Sequence, residues 1–154
     1  MEIGKIKLIV GKNDEEVKVN LEERLAIDQE DLNSELSNQP SEFARFAVLA
    51  ARAKSRRERI DYELEEYENK LDISIREGAT KEDGLTEGKI KALVRIDSKR
   101  LAVVNTLIEA KEIEEIAIAA KEAFSQRKDC LISLGANRRA EMDTDLYLKE
   151  RKKK

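Results

Sequence analysis

Apolar side chains recur every three or four residues through a long stretch in the middle of the chain. Residues 42–77 contain no glycine and no proline that would interrupt a helix. The repeating positions are Phe43, Phe46, Ala50, Ala53, Ile60, Leu64, Tyr67 and Leu71, with Arg57 in the one gap. Spacings of three and four place such side chains on one face of an α-helix. The pattern therefore predicts an amphipathic helix about 50 Å long, at about 1.5 Å per residue.

A second long helix is predicted over residues 98 to about 134. Asp97 is a suitable N-cap, and Gly135 suits the left-handed position that often ends a helix. One face carries Ala110, Ile113, Ala117, Ala120, Phe124, Arg127, Leu131 and Leu134. Another apolar face carries Leu101, Val104, Ile108, Ile116, Ala119 and Ala123. Two apolar faces need two packing partners. We expect one partner to be the first long helix, folded back as an α-hairpin, and the other to be a second chain.

Shorter elements are predicted around these helices. "KIKLIV" (5–10) and "VKVNL" (17–21) are rich in β-branched residues and flank the turn-forming "GKND", which predicts a β-hairpin. The stretch "EEVKVNLEERLA" could alternatively form a helix. Asp28, with Asp31 in the capping-box position, predicts a short helix over about 29–38, and Pro40 either interrupts this helix or starts the next. Three glycines within 77–88 predict a loop, and "KIKALVRI" (89–96) predicts a short helix.

The predicted fold class is mainly α: a long-helix α-hairpin with a short extra helix and a small N-terminal β-hairpin. We expect residues 1–27 to form a β-hairpin extension, residues 28–140 a helical core and residues 141–154 a basic C-terminal tail. Of the 154 residues, 41 % are charged and 4 % are aromatic. The core that one such chain can build is thin, so association between chains is expected.

Charge is unevenly distributed along the chain, although the formal net charge is only −3. Residues 14–42 hold ten acids against two basic residues, whereas residues 45–59 hold six basic residues against one acid. Acidic residues then dominate residues 61–68, and the last six residues, "KERKKK", carry five basic residues. A nearly neutral total can therefore conceal local fields strong enough to attract a partner.

The sequence offers few groups for catalysis. It has no histidine, and Cys130 is its only cysteine. The commonest general base, the Ser-His-Asp and Cys-His pairs and most zinc sites are therefore ruled out. Gly11-Lys12 lacks both the spacing and the Ser or Thr of a phosphate-binding loop. We expect a non-enzyme without a cofactor or metal, in which the acidic run 61–68 is a solvated face or the partner of a basic patch.

No signal peptide or apolar run of spanning length is present, which favours a soluble protein in the cytoplasm.

We call five cations on the first long helix the basic block: Arg52, Lys54, Arg56, Arg57 and Arg59. With Arg45, three of these arginines follow steps of seven, four and three residues, which places them on one helix face. A planar guanidinium can donate two bonds to one phosphate, so such a row suits a nucleic-acid backbone. Binding of this kind depends steeply on salt and little on base sequence.

Two other features bear on the basic block. Tyr62 could stack on the bases of a single strand, whereas Tyr67 lies on the apolar stripe. Alternatively, the basic block could pair with the acidic face of a neighbouring chain. The residues alone favour nucleic-acid binding and self-assembly about equally. Both interpretations hold if the basic rows of several subunits line up.

The order and spacing of three segments resemble the UvsY family, the recombination mediators of T-even-type phages. The likeness covers about residues 26–134. "AIDQEDLNSELSNQPSEF" is similar to the family's opening helix. In "RRERIDY", Arg57 and Arg59 fall on the Lys and Arg of the family's Lys-Ala-Arg-Leu-Asp-Tyr segment, and "IDY" continues the match. Residues 90–134 are similar to the family's second half, including the basic pair Arg127 and Lys128.

The resemblance implies a ring-forming homo-oligomer, hexameric or heptameric, that binds single-stranded DNA. It further implies partnership with a phage recombinase, which such proteins help to load onto DNA coated by single-strand-binding protein in the host cytoplasm. Arg57 and Arg59 are the implied DNA contacts, while Arg56, Arg52 and Lys54 are added on the physical argument alone. The N-terminal hairpin and "KERKKK" have no counterpart in the family pattern.

Two functions without recombination stay open at this point. A structural coiled-coil assembly or scaffolding protein would form oligomers without useful affinity for single strands at physiological salt. An adaptor whose basic block docks an acidic tail would bind DNA only at low salt.

Overall fold

A computed structural model of the chain describes residues 5–10, 13–78 and 85–151. In chain order its elements are β1 (Lys5–Val10), β2 (Glu15–Asn20), α1 (Leu21–Leu25), α2 (Leu32–Gly78), α3 (Glu87–Ile96) and α4 (Ser98–Arg151). The two strands pair in a single antiparallel sheet, so the predicted class, mainly helical with a small hairpin, is confirmed. Within the described ranges, none of the helices combines the length and apolarity that crossing a membrane requires.

The N-terminal β-hairpin is confirmed, with its second strand beginning at Glu15. Asn13 and Asp14 lie in the turn, where Asp14 has a φ of 51°. Asp tolerates this left-handed region better than most residues do. Two residues of the predicted turn, Gly11 and Lys12, lie outside the described residues. The helical alternative applies only to Leu21–Leu25, which forms α1.

The chain divides into two compact units, and α2 and α4 contribute a segment to each. The first unit holds Lys18–Ala50 and the described part of Ala117–Lys154, with residues 5–7. Its core contains Phe46 and Phe124, whose rings stack with centroids 4.4 Å apart. Gln39 of α2 also donates to the carbonyl of Phe124 at 2.6 Å. Contacts of Glu35 with Arg127 and of Phe46 with Phe124 show that the two helix segments run antiparallel within this unit.

The second unit holds Leu8–Val17 and the described part of Ala51–Ile116. Its core cluster consists of Ile60, Leu107 and Ala110, with Leu64 and Val103 packed against it. The antiparallel α2–α4 pairing predicted from the apolar stripes is therefore present inside this unit as well. The predicted third helix is confirmed as α3, whose N-cap Thr86 accepts a bond from the amide of Lys89.

The α4 stripe reproduces the predicted burial closely. All eight stripe positions are buried or half-buried, and Ala117, Phe124 and Leu131 are fully inaccessible. Along the α2 stripe, Phe43 is the exception, because 38 % of it stays exposed. Asp97 is confirmed as the N-cap of α4, since its Oδ1 accepts a 2.7 Å bond from the amide of Arg100.

The short helix predicted before Pro40 is wrong, because α2 begins at Leu32 and continues through Pro40 to Gly78. Asp31, rather than Asp28, caps it: the Asp31 side chain accepts from the amide of Ser34 at 3.2 Å. Proline removes one helical hydrogen bond and crowds the preceding turn. Buried contacts on both sides, at Gln39 and Phe46, offset that cost and hold the helix continuous.

The end predicted for α4 at Gly135 is also wrong, because the helix extends to Arg151. Residues beyond the glycine still have partners in the first unit, since Arg138 donates to the carbonyl of Gln29 at 3.0 Å. A glycine permits the left-handed conformation that ends a helix but does not impose it. The predicted polar tail therefore begins as a continuation of α4.

Candidate nucleic-acid interface on α2

The basic block lies on about two turns of α2, entirely within the second unit. The helical spacing predicted a continuous basic row. The structure instead places four of the five cations in three different surroundings: the hairpin, α4 and solvent.

Two arginines of the block contact the hairpin, one at its turn and one at the first residue of β2. Arg56 Nε lies 2.6 Å from Asp14 Oδ1, and Arg52 Nη1 lies 3.2 Å from Glu15 Oε2. The Arg56 side chain is only 9 % exposed, whereas that of Asp14 is 67 % exposed. In the second pair both side chains are more than half exposed. The Arg56 pair therefore joins a buried guanidinium to a carboxylate that water still reaches.

Arg57, the gap in the apolar stripe, faces α4. Its Nε lies 2.9 Å from Glu114 Oε2, and both side chains are largely covered. The hydrogen bond with Glu114 raises the pKa of Arg57 above its ordinary value, and the charge of Glu114 acts in the same direction. A cation in the seam between two helices is accommodated because its counter-ion lies opposite it on the other helix.

Lys54 is the most exposed cation of the block. Its Nζ lies 3.9 Å from Glu58 one turn later, and 61 % of its side chain is accessible. Arg59 is half-buried and also interacts within the chain. Tyr62, the candidate stacking residue, is 66 % exposed on the next turn of the same helix.

The chain supplies its own counter-ions for this block. Four of the five cations pair with carboxylates, which are those of Asp14, Glu15, Glu58 and Glu114. The cations are evident in the sequence, but three of these acids are not evident as their partners, because 37 to 57 residues separate the two members of each pair. The only sequence signal was the acid-rich composition of the segment that begins at Asp14.

Two acids of the acidic run 61–68 on α2 also form ion pairs. Glu66 holds Lys70 one turn later at 2.6 Å, and Glu68 accepts from Arg100 Nε of α4 at 2.5 Å. Tyr67 donates to Asp97 Oδ1 at 2.9 Å, which agrees with its predicted place on the apolar stripe. Among the residues that the structure describes, no three potential ligands cluster in a way that could hold a metal ion.

The basic pair near the end of the UvsY-like region separates into two environments. Arg127 is buried in the first unit, where Gln39 and the carbonyls of Leu25 and Ala26 accept its bonds at 2.8 to 3.2 Å, and Glu35 forms a close ion pair with it. Lys128 is exposed beside Asp129. Arg127 is therefore placed to hold the fold together.

Comparisons with protein-family models, with curated proteins and with solved structures found no match to this chain. The UvsY resemblance accordingly remains a hypothesis based on the segments in which it was seen.

Proposed function

We propose that the protein binds single-stranded DNA through the basic block and acts as a recombination mediator. The observation that carries the proposal is the density of cations on α2: five within eight residues, two of them more than half exposed. Binding, with no catalytic step, is the proposed activity. The single strand is favoured as ligand by the exposed Tyr62 beside the block and by the UvsY resemblance.

The internal ion pairs of the block are compatible with DNA binding. Arg52 and Lys54 are held by Glu15 and Glu58 at distances of 3.2 and 3.9 Å, and all four side chains are exposed. Exposed pairs of this kind contribute about 0–1 kcal/mol each. A phosphate, which offers more oxygens and releases counter-ions from the DNA, can replace such a carboxylate.

The structure suggests different roles for the cations within the proposal. Arg52 and Lys54 are accessible for first contact. Arg57 and Arg59, the residues that the UvsY resemblance implies, are more covered, and Arg57 would have to exchange or share Glu114. We therefore expect DNA to engage the exposed pair first and the covered pair afterwards.

The remaining parts of the proposal rest on the resemblance. These parts are that the protein forms a ring-type homo-oligomer and that it helps load a phage recombinase onto DNA coated by single-strand-binding protein. Exposed apolar side chains of α4, Leu101 and Ile108, are consistent with association between chains. The same residues also favour the second candidate, a structural assembly protein without a DNA role.

Fluorescence anisotropy of labelled oligo-dT, compared with a duplex of equal length across a salt series, tests the proposal. Single strands should bind more tightly than duplex, with a steep loss of affinity as salt rises. Arg52→Ala/Lys54→Ala and Arg57→Ala/Arg59→Ala should each weaken binding about 5- to 10-fold. If each substitution removes one phosphate contact, each double variant should also reduce the salt slope by about 1.4, because a single-strand contact contributes about 0.7.

The matched control is Lys70→Ala/Lys111→Ala, which removes two exposed cations of the same unit outside the block. Its affinity should follow the wild type. Oligomers with weak binding and no mutant effect would support the assembly protein instead, and binding confined to low salt would support the acidic-tail adaptor. The mediator role is tested by recombinase assembly on single strands precoated with single-strand-binding protein, where the protein should shorten the lag.

A further inference from the structure

The turn of the N-terminal hairpin and the first residue of β2 place two carboxylates on the basic block. Asp14 and Glu15 are adjacent in sequence, and they contact Arg56 and Arg52, which are adjacent along one face of α2. The spacing of the two acids thus matches one helical turn of arginines. Asp14 adopts a left-handed backbone conformation, with φ of 51°, in delivering its side chain to Arg56.

The carboxylate of Asp14 satisfies Arg56 incompletely. A guanidinium has five N–H donors, and Asp14 accepts from Nε. Among the described residues, Nη1 of Arg56 is buried and has no hydrogen-bond partner. A buried, unpaired donor of a charged group costs free energy. An anion with more acceptor oxygens would therefore bind this site more favourably than Asp14 does.

We propose that Asp14 and Glu15 are an internal competitor that occupies the anion sites of Arg56 and Arg52 until a DNA phosphate displaces it. This inference rests on the proposed function, since it assigns the regulation of the same site. A phosphate group supplies the further oxygens that Arg56 Nη1 lacks, and the displaced Asp14, already 67 % exposed, returns to water. The two carboxylates therefore determine how strongly a ligand must bind Arg52 and Arg56 before it can displace them.

The exchange explains why the hairpin carries acids at its turn. A surface that stays basic attracts any polyanion, whereas one covered by its own carboxylates admits only a ligand that outcompetes them. An extended single strand presents several phosphates in a row and can replace both carboxylates at once. An isolated anion replaces one and gains less.

Fluorescence anisotropy of labelled oligo-dT, measured with the full chain, tests whether Asp14 and Glu15 compete with DNA. Asp14→Asn/Glu15→Gln removes both negative charges and keeps side chains of the same shape, each with an acceptor oxygen. We expect affinity to rise about 5- to 10-fold relative to Glu109→Gln/Glu112→Gln, which changes the net charge equally at exposed α4 positions of the same unit. Circular dichroism melting confirms that each variant is folded.

A second variant pair separates direct competition from a general charge effect. Glu15→Gln alone leaves the buried Arg56 pair intact and should tighten binding about 2- to 5-fold. In an Arg52→Ala background the same substitution should have no effect, because the site that Glu15 occupies is gone. A gain in oligo-dT affinity that persists in the Arg52→Ala background would rule out competition by Glu15 for Arg52.

The outcomes distinguish the two proposals. If wild type binds oligo-dT and the turn variant binds no more tightly than the α4 control, the competitor is wrong and the DNA-binding proposal stands. If neither wild type nor the turn variant binds, the DNA-binding proposal fails and the competitor fails with it. Binding by the turn variant with little binding by the wild type supports both.

Discussion

Arg127 shows how a charged residue on an apolar stripe can hold a fold together. In the sequence it is one of a basic pair; in the structure it is 8 % exposed and accepted by four groups of the first unit. Two of these acceptors are carbonyls of Leu25 and Ala26, the residues at the end of α1. The guanidinium therefore joins the segment before α2 to both long helices of its unit, a role that a helical stripe pattern does not reveal.

Replacing Arg127 with alanine should lower the free energy of unfolding by about 3–5 kcal/mol, because Glu35 and Gln39 lose a buried charged partner. The measurement is urea denaturation followed by circular dichroism. Lys128→Ala is the matched control: its ion pair with Asp129 is exposed, so stability should change by less than about 0.5 kcal/mol. Equal effects of the two substitutions would contradict the structural role of Arg127.

The bond between Tyr67 and Asp97 predicts a specific alkaline titration. Donation to Asp97 is the main reason, ahead of burial, that the pKa of Tyr67 lies above its ordinary value. The stabilisation is thus complete below the unfolded-state pKa of about 10 and is lost as pH rises through the higher folded-state value. In a spectrophotometric pH titration, the rise in tyrosinate absorbance that occurs at the highest pH in the wild type should be missing in Tyr67→Phe. Asp97→Asn should shift that portion to lower pH, and Glu66→Gln should leave it unchanged.

At the scale of elements, the order of charges along α2 is explained by what packs against each part. The basic half meets Asp14 and Glu15 of the hairpin turn and Glu114 of α4, and the acidic half meets Arg100 at the start of α4. Each long-range pair joins α2 to another element of the second unit. These pairs favour one register of α2 against its neighbours, whether or not the basic block also binds DNA.

The passage of α4 through Gly135 predicts a stabilising substitution. A Cβ at this position would lie 3.6 Å from Arg139 Nη1, an ordinary van der Waals distance. Gly135→Ala should therefore raise the free energy of unfolding by about 0.5–1 kcal/mol, because alanine loses less backbone entropy in a helix. Chemical denaturation measures the change. Destabilisation would instead indicate a left-handed Gly135 and a helix that ends there, as the sequence pattern alone suggested.

At the scale of the whole molecule, apolar surface remains on α4 after each unit has formed its core. Leu101 is 46 % exposed and Ile108 is 59 % exposed, with half-buried Val104 between them on the same face. This is the second apolar face that the sequence predicted. Exposed apolar side chains that are contiguous along a helix are typical of surfaces that another chain covers.

Leu101→Glu/Ile108→Glu should convert an oligomeric wild type into smaller species, because two buried charges would oppose association. Native mass spectrometry or sedimentation velocity at matched concentration gives the result. Ile73→Glu, at a position 54 % exposed on α2, is the control and should keep the wild-type mass. A monomeric wild type, or an oligomer unaffected by the α4 variant, would contradict association through this face.

The sequence by itself determined the presence of the hairpin, the two long helices and α3, and which stripe of α4 is buried. These properties depend on spacings of two, three and four residues, so they are local and visible in the chain. It could not determine that α2 crosses Pro40 or that α4 crosses Gly135, because each depends on contacts with distant residues such as Phe124 and Gln29. Nor could it pair Arg56 with Asp14, or Arg57 with Glu114: ion pairs 42 and 57 residues apart exist only after packing has set the helix register. The tertiary structure therefore decided how far the basic block is exposed, since folding brings its counter-ions to it.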